Sequence, residues 1–310
     1  MSLDPDLTAQ LKRVLAALEP LLPRPAPPID WATCHAANWH RGPFSGTLEP
    51  VPDLEEMHLD DLLGIETQKQ VLEGNTRQFL AGLPANNALL WGTRGTGKSS
   101  LVRALLHRYA AEGLRIIQVD KDDLVSLPSI VEALKAQPWR FLVFSDDLSF
   151  ETGDPSYKVL KSALDGSVYA LPPNVLIYVT SNRRHLVAEY ESDNRGAMMV
   201  EGEVHHGEAV EEKISLSGRF GLWVAFHPFS QDRYVEVARQ WVARLAERAG
   251  APTPWTADAE AEAILWSQKK GDRSGRIAWQ FACDWVGREA LKRGRTGSGP
   301  HVTGPTHDVK

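Results

Sequence analysis

Five short runs of apolar residues divide the middle of this 310-residue chain. Each run is too continuously apolar to leave one face in water, so each suits a strand of a parallel sheet that is covered on both faces. Stretches of helical character separate the runs, and this alternation predicts an α/β doubly wound parallel sheet. The predicted strands are Ala88–Trp91, Arg115–Val119, Phe141–Ser145, Val175–Thr180 and Leu222–Phe226.

Helical periodicity occurs before, between and after these strands. Three helices that follow the last strand predict a small helical lid over residues 231–293. The predicted helices are Asp60–Leu83, Ser99–Glu112, Ser129–Lys135, Pro155–Leu164, Gln231–Arg248, Ala257–Ser267 and Gly275–Leu291.

The remaining segments suggest four parts in the chain. Residues 6–22 have helical spacing and precede a Pro-rich break, so residues 1–54 are interpreted as an N-terminal helical extension that packs on the core or on a partner. Residues 55–230 form the predicted core and residues 231–293 the lid. The Gly-containing polar segment 183–218 predicts a mobile or partly helical insertion, and residues 294–310 predict a disordered tail.

Composition restricts the class of partner and the compartment. The formal net charge of -6 does not favour broad nucleic-acid binding, although a local basic patch at Arg183–His185 leaves nucleic acid open as a partner. Two distant cysteines indicate a reducing compartment, and Cys34, His35 and His40 match no zinc spacing. Without a leader-like start or a long apolar run, the chain is predicted to be cytoplasmic and away from membranes.

Residues 92–99 read GTRGTGKS, which matches GxxxxGK[ST] without a mismatch and lies between a predicted strand and a predicted helix. The glycines let the backbone aim its N–H groups at phosphate oxygens, and the helix adds its positive end. Lys98 is predicted to bridge the β- and γ-phosphates of ATP, and the Ser99 hydroxyl to ligate Mg²⁺. The predicted nucleotide-binding residues are Gly92, Thr93, Arg94, Gly95, Thr96, Gly97, Lys98, Ser99 and Ser100.

Two adjacent acids end the third predicted strand, at Asp146 and Asp147. In a sheet of this kind that strand end lies beside the phosphate loop. Asp146 is therefore predicted to hold Mg²⁺, mostly through water, because Mg²⁺ keeps much of its hydration. Asp147 is predicted to orient or deprotonate the attacking water.

Together these motifs resemble the AAA+ ATPases over roughly residues 55–292, including the segment from Asp61 to Glu66 ahead of the phosphate loop. The resemblance implies the strand order 5-1-4-3-2, ATP hydrolysis and an ATP-dependent homo-oligomer. Asp147 stands where most members of the family have Glu. The Asp-Asp pair resembles the replication-initiator and helicase-loader branch, and the shorter Asp147 side chain implies slow hydrolysis or a tightened site.

The same resemblance implies three further catalytic residues. Asn182 matches the sensor that ends the family's fourth strand, where it contacts the γ-phosphate or the attacking water. Arg219 looks like the arginine finger, which reaches into the ATP site of a neighbouring subunit. Arg276 looks like the second sensor in the lid, with Arg273 as its competitor.

More narrowly, the segments 144–150, 157–166 and 216–222 resemble a bacterial group of uncharacterised AAA+ proteins. The favoured hypothesis is an ATPase that hydrolyses ATP at subunit interfaces to remodel or load a macromolecular partner, which the sequence does not name. Two alternatives share the phosphate loop: a phosphotransferase that acts on a small molecule, and a nucleotide-gated scaffold with weak hydrolysis.

Overall fold

The computed structural model of the protein describes residues 28–42, 46–52, 54, 57–150, 154–166, 171–184, 186, 198–200, 203–205 and 216–292, together with Gln10 and Arg13. The tail predicted over 294–310 lies outside the described residues, as do almost all of the helix predicted over 6–22 and most of the insertion predicted over 183–218.

Seven strands of the described chain form one sheet in the order β2-β1-β4-β5-β6-β3-β9, and a two-stranded hairpin, β7-β8, lies within the predicted insertion. Every neighbouring pair in the large sheet is parallel except β1 and β2, which are antiparallel. The strands are β1 (Ala36–Arg41), β2 (Gly46–Pro50), β3 (Ala88–Gly92), β4 (Leu114–Gln118), β5 (Arg140–Ser145), β6 (Val175–Ser181), β7 (Met198–Val200), β8 (Glu203–His205) and β9 (Leu222–Phe226).

The prediction of a purely parallel, five-stranded sheet is therefore wrong. Two further strands extend the sheet beyond β4, so the described part of residues 1–54 contains strands rather than only a helical extension. β1 escaped notice because its apolar run is short: Ala36, Ala37 and Trp39 are buried, but His40 and Arg41 are exposed. The five predicted strands remain neighbours inside this wider sheet, as β4-β5-β6-β3-β9.

Seven α-helices and three short 3-10 helices (Leu59–Asp61, Ala110–Glu112 and Lys121–Ser126) accompany the described strands. The helix predicted from Asp60 is interrupted, because Gly64 has a φ of 84°, and its α-helical part begins at Glu66. The α-helices are α1 (Glu66–Leu80), α2 (Lys98–Tyr109), α3 (Leu127–Leu134), α4 (Pro155–Leu164), α5 (Gln231–Arg248), α6 (Ala257–Lys270) and α7 (Gly275–Lys292).

Alternate residues of the central strands enter two separate hydrophobic cores, as the two faces of a sheet require. Leu90 of β3 packs in the core that also holds buried residues of α1, α2 and the three C-terminal helices. Its neighbour Leu89 packs in the other core, with buried residues of α3 and α4. The sheet is thus covered by helices on both faces, and polar side chains at its carboxyl edge are left to form a site.

The C-terminal helices are tied to that edge by main-chain hydrogen bonds. The Phe229 N–H donates to the carbonyl of Arg273 at 2.8 Å, and the Arg276 N–H donates to the carbonyl of Gly95 at 3.0 Å. Polar side chains cap α5 and α6 at their N-termini, since Ser230 and Thr256 accept from the N–H groups of Arg233 and Ala259. The start of α7 therefore lies against the loop that follows β3.

Within the residues that the structure describes, no helix is both long enough and apolar enough to cross a membrane.

Candidate functional site

The loop between β3 and α2 requires glycine at three positions. Gly92, Gly95 and Gly97 have φ values of 130°, 75° and 100°, in the left-handed region that side chains disfavour. A Cβ atom on Gly92 would lie 2.0 Å from the carbonyl oxygen of Phe226, whose oxygen also accepts from the Thr93 N–H at 3.0 Å. The loop is thus held against β9 and turned directly into the N-terminus of α2, which is suited to bind an anion.

Lys98, the first residue of α2, folds its side chain back over the loop. Its Nζ donates to the carbonyls of Gly92 and Thr93, both at 2.8 Å, and to Oδ1 of Asn182 at 3.2 Å. Burial lowers the pKa of Lys98 to about 8, while the carboxylates of Asp147 and Asp146 act in the opposite direction. The loop is therefore supplied with a cation that is mostly charged at neutral pH and loses its charge above about pH 8.

Asp146 is held by two hydroxyl groups at the end of β5. Ser99 of α2 donates to its Oδ1 at 2.5 Å, and Thr180 of β6 donates to the same oxygen. The Thr180 hydroxyl also accepts from the Asp147 N–H at 2.8 Å. One buried threonine thus orients both acids, and the Ser99 hydroxyl and the Asp146 carboxylate lie in direct contact.

Asp147 has a strained backbone and two polar partners. Its φ of 51° makes it the one non-glycine residue with a positive φ in the described chain, a conformation that costs about 1–3 kcal/mol and is frequent in functional sites. Its Oδ1 accepts from the amide of Asn182, and its Oδ2 lies 3.4 Å from Arg94 Nη2. Asn182 therefore contacts both Asp147 and Lys98, which places the three side chains in one cluster.

A cleft of about 1030 Å³ joins this cluster to the C-terminal helices. Of the predicted residues, Arg94 to Ser100, Asp146, Asp147, Asn182 and Arg276 line it, whereas Gly92, Thr93 and Arg273 do not. The other lining residues are Met57, Asp61, Leu62, Leu63, Ile65, Arg103, Thr180, Trp241, Arg248, Gly275, Trp279 and Gln280.

Arg219 lies elsewhere. It is not among the lining residues of the cleft, and its Nε donates to the carboxylate of Asp165, directly after α4. The structure thus brings Asp147, Asn182 and Arg276 together and leaves Arg219 outside the cleft of its own chain.

The residues present fit a nucleoside triphosphate with magnesium. A Cβ on any of the three loop glycines would meet a close neighbour, and Lys98 and Arg276 line the same cleft and supply positive charge there. Mg²⁺ prefers oxygen ligands and keeps several waters, so Ser99 and Asp146 are suitable ligands without a larger protein cage. The described residues contain no cluster of three or more His, Cys, Asp or Glu side chains suited to a metal.

Sequence reasoning missed several residues of the cleft. Thr180 was predicted only as the end of a strand, because its bonds to the two acids join positions 34 and 33 residues apart. Asp61 was named as part of a motif, but its ion pairs with Arg244 and Arg248 of α5, at 3.0 and 3.3 Å, were not predicted. Trp241 and Trp279 carried no local signal beyond helical periodicity.

The family model described as "Protein of unknown function (DUF815)" matches residues 32–289. No curated protein gives a significant match. Among solved structures, the RuvB Holliday junction branch migration motor of Thermotoga maritima is 16% identical over 77% of this chain and 72% of its own, with a TM-score of 0.46. A point mutant of that protein has a TM-score of 0.49, with 16% identity over 77% of this chain and 73% of its own. The ORC1 protein of Aeropyrum pernix in complex with DNA is 17% identical over 75% of this chain and 61% of its own, with a TM-score of 0.48.

Proposed function

Because the chain belongs to the DUF815 family, whose description leaves its activity open, we propose a function from the site itself: an ATP-binding AAA+ ATPase that hydrolyses ATP with Mg²⁺. The observation that carries the proposal is the convergence of Lys98 and Ser99, Asp146 with Asp147, and Asn182 on one cleft. These are the groups that phosphate binding, metal binding and water activation require. The helical lid contributes Arg276 to the same cleft.

Each side chain has a role in this proposal. Lys98 neutralises the β- and γ-phosphates, and Ser99 and Asp146 hold the metal ion. Asp147 accepts a proton from the attacking water, while Asn182, which contacts Asp147, holds that water in line with the γ-phosphate. Arg276 senses the γ-phosphate from the lid; it lines the cleft, and its N–H is bonded to the loop.

Assembly completes the site in this proposal. Arg219 lies outside the cleft of its own chain and its side chain is partly exposed; in the assembly it reaches the ATP of a neighbouring copy, where it stabilises negative charge on the transferring phosphoryl group. Hydrolysis therefore occurs between copies of the chain, and the resulting movement of the lid remodels or loads a macromolecular partner. A reducing, cytoplasmic setting suits this activity.

The test is ATP turnover as a function of protein concentration, for the wild type and for Arg219→Ala, with ATP binding measured in parallel. Turnover per chain should rise with concentration and be lost in the variant, while binding survives. Turnover that is independent of concentration and unaffected by the variant would instead indicate a phosphotransferase that works as a monomer.

A second candidate is a nucleotide-gated scaffold that hydrolyses ATP poorly. It is favoured by Asp147, whose carboxylate contacts both Arg94 and Asn182 and is one methylene shorter than a glutamate. Asp147→Glu separates the two functions. An increase in turnover would favour the scaffold, because the wild-type acid is then too short for efficient catalysis, whereas a loss of turnover would show that the site is built for aspartate.

A further inference from the structure

A second, smaller pocket of about 360 Å³ lies outside the nucleotide cleft, where the first 3-10 helix meets α1 and α2. Its walls carry histidine and charged side chains from these three elements, and no role in the proposed function involves them. Among the described residues, the pocket and the cleft share no lining residue. A ligand in this pocket would therefore not compete directly with a nucleotide.

Most of the charged side chains that line the pocket already have a partner. Glu66 and Arg108 form ion pairs with residues outside the pocket. Glu73 accepts a hydrogen bond from a tyrosine hydroxyl at 2.6 Å, and Lys69 donates one to a main-chain carbonyl at 3.1 Å. Within the described residues, the carboxylate of Asp60 forms neither an ion pair nor a hydrogen bond, so its negative charge is available to a ligand.

Two histidines of the pocket, His58 and His107, face each other. Their ring centroids are 4.4 Å apart, and their planes are nearly perpendicular, at 88°. Both residues are exposed, and within the described part of the chain neither imidazole forms a hydrogen bond or an ion pair. Each ring in its neutral form therefore has a nitrogen lone pair that the fold leaves unused.

Two such imidazoles suit a transition metal. Imidazole nitrogen binds zinc, copper, nickel and iron, whereas magnesium and calcium prefer oxygen. A tetrahedral Zn²⁺ bound to one nitrogen of each ring at about 2.0–2.1 Å would place the ring centroids roughly 5 Å apart, so these exposed side chains need to separate by less than about 1 Å. Water completes the coordination, because the described residues contain no cluster of three or more metal-ligating side chains. Asp60 offsets part of the ion's charge.

We propose that His58 and His107 bind one Zn²⁺ ion, which joins the segment ahead of α1 to the last turn of α2. Both elements lead into the nucleotide cleft. Asp61, three residues after His58, lines the cleft and pairs with two arginines of α5, and α2 begins at Lys98 of the phosphate loop. Bound zinc therefore restrains the segment ahead of α1 relative to the phosphate loop. The proposal is independent of the proposed function, because zinc binding requires neither nucleotide nor hydrolysis.

The test is Zn²⁺ binding to the full chain by calorimetry, without nucleotide and in excess Mg²⁺, so that oxygen ligands such as Ser99 and Asp146 hold magnesium. His58→Ala and His107→Ala should each lower the affinity of the same Zn²⁺ site at least about tenfold, since residues that merely support a metal ligand already contribute about 10–100-fold. The double variant should lose this site and no other, because both ligands serve one ion.

His227→Ala is the matched control. His227 is also exposed and also contacts an aromatic ring, that of Trp91, but it does not line the pocket. Its loss should leave Zn²⁺ binding as in the wild type. Unchanged binding in either His58→Ala or His107→Ala, or an equal loss in His227→Ala, would overturn the proposal and assign the metal to other histidines of the chain.

Two further measurements guard against a folding defect. His107→Gln keeps a polar side chain with good helix propensity in α2, and it should lose the site as His107→Ala does; retained binding there would contradict the proposal. Zn²⁺ should also raise the midpoint of thermal unfolding more in the wild type than in either single variant, because the ion joins two elements only in the folded state. An equal rise in all three proteins would count against a shared ion.

Discussion

Arg219 and Asp165 form an ion pair through the guanidinium Nε and the carboxylate Oδ1, which joins the turn before β9 to the end of α4. Both side chains are partly exposed, at 26% and 37%, so the pair contributes little stability, at most about 1 kcal/mol. The pair instead orients the Arg219 side chain, because a hydrogen bond at Nε fixes the guanidinium plane of a long and flexible side chain. In the proposed function, Asp165 is thus a positioning residue for Arg219.

Asp165→Asn should lower turnover at saturating ATP about tenfold and leave ATP affinity unchanged, because binding does not involve Arg219 and the orientation of the finger matters only during the reaction. The measurement is the separation of kcat from KM at a fixed, high protein concentration. Asp284→Asn is the control, since Asp284 forms a partly exposed pair with Arg288 on α7, and its own side chain is as accessible as that of Asp165. If both variants had identical kinetics, the Arg219–Asp165 pair would be a surface contact without a role in turnover.

ATP affinity should fall as the pH rises from about 7 to 9. Burial lowers the pKa of Lys98 to about 8, so the ammonium group is mostly charged at the lower pH and mostly neutral at the higher one. Phosphate binding favours the charged form and takes up a proton above this pKa, which weakens binding by up to about tenfold per pH unit. Calorimetry in buffers of different ionisation enthalpy measures both the affinity and the proton uptake.

Lys98→Arg is the control for this pH dependence, because a guanidinium keeps its proton throughout this range. Its affinity should be lower overall but constant with pH. A parallel decline in both proteins would assign the pH dependence to another group.

Thr180→Val should raise the Mg²⁺ concentration needed for half-maximal turnover and lower the maximal rate about tenfold. The substitution keeps the shape of the buried side chain but removes the hydroxyl that donates to Asp146 and accepts from the Asp147 N–H. Hydrogen bonds to charged groups contribute about 1.5–3 kcal/mol each, which agrees with an effect of this size. Titration of turnover with Mg²⁺ provides the measurement, and Thr180→Ser, which restores the hydroxyl, should recover most of the activity. Failure of serine to recover it would point to packing rather than hydrogen bonding.

Gly95→Ala should separate the lid from the phosphate loop and abolish ATP binding. The new Cβ would lie 2.9 Å from Ser274 Oγ and 3.1 Å from Arg276 Cβ, at a φ of 75° that alanine disfavours. Limited proteolysis should cut the lid faster, and thermal unfolding should begin earlier. Gly74→Ala is the matched substitution, because Gly74 lies in the middle of α1 and a Cβ there would have no neighbour within 4 Å. It should stabilise the protein by about 0.5–1 kcal/mol. Retained ATP binding in Gly95→Ala would show that the loop tolerates the displacement.

The parts of the molecule that the sequence predicted depend on local chemistry. The phosphate loop is recognisable in the sequence because glycine, lysine and serine each have a role there that few other residues can take. The buried strands are recognisable because their apolar runs are continuous. β1 was missed since pairing with β4 stabilises it, and partners distant in sequence leave no local pattern. The bonds of Thr180 and Asp165 were missed for the same reason, since each joins residues distant in sequence, whereas the interruption at Gly64 has a local cause, the positive φ of that glycine.

The junction between the lid and the phosphate loop consists of main-chain atoms, the N–H of residue 276 and the carbonyl of residue 95. The bond itself therefore tolerates any side chain at position 276 except that of proline, which lacks the donor, whereas position 95 is restricted to glycine by the neighbouring Ser274 and Arg276. In the proposed function, a change in the phosphate loop on nucleotide binding would therefore reach the lid through the main chain, without depending on the side chain of residue 276.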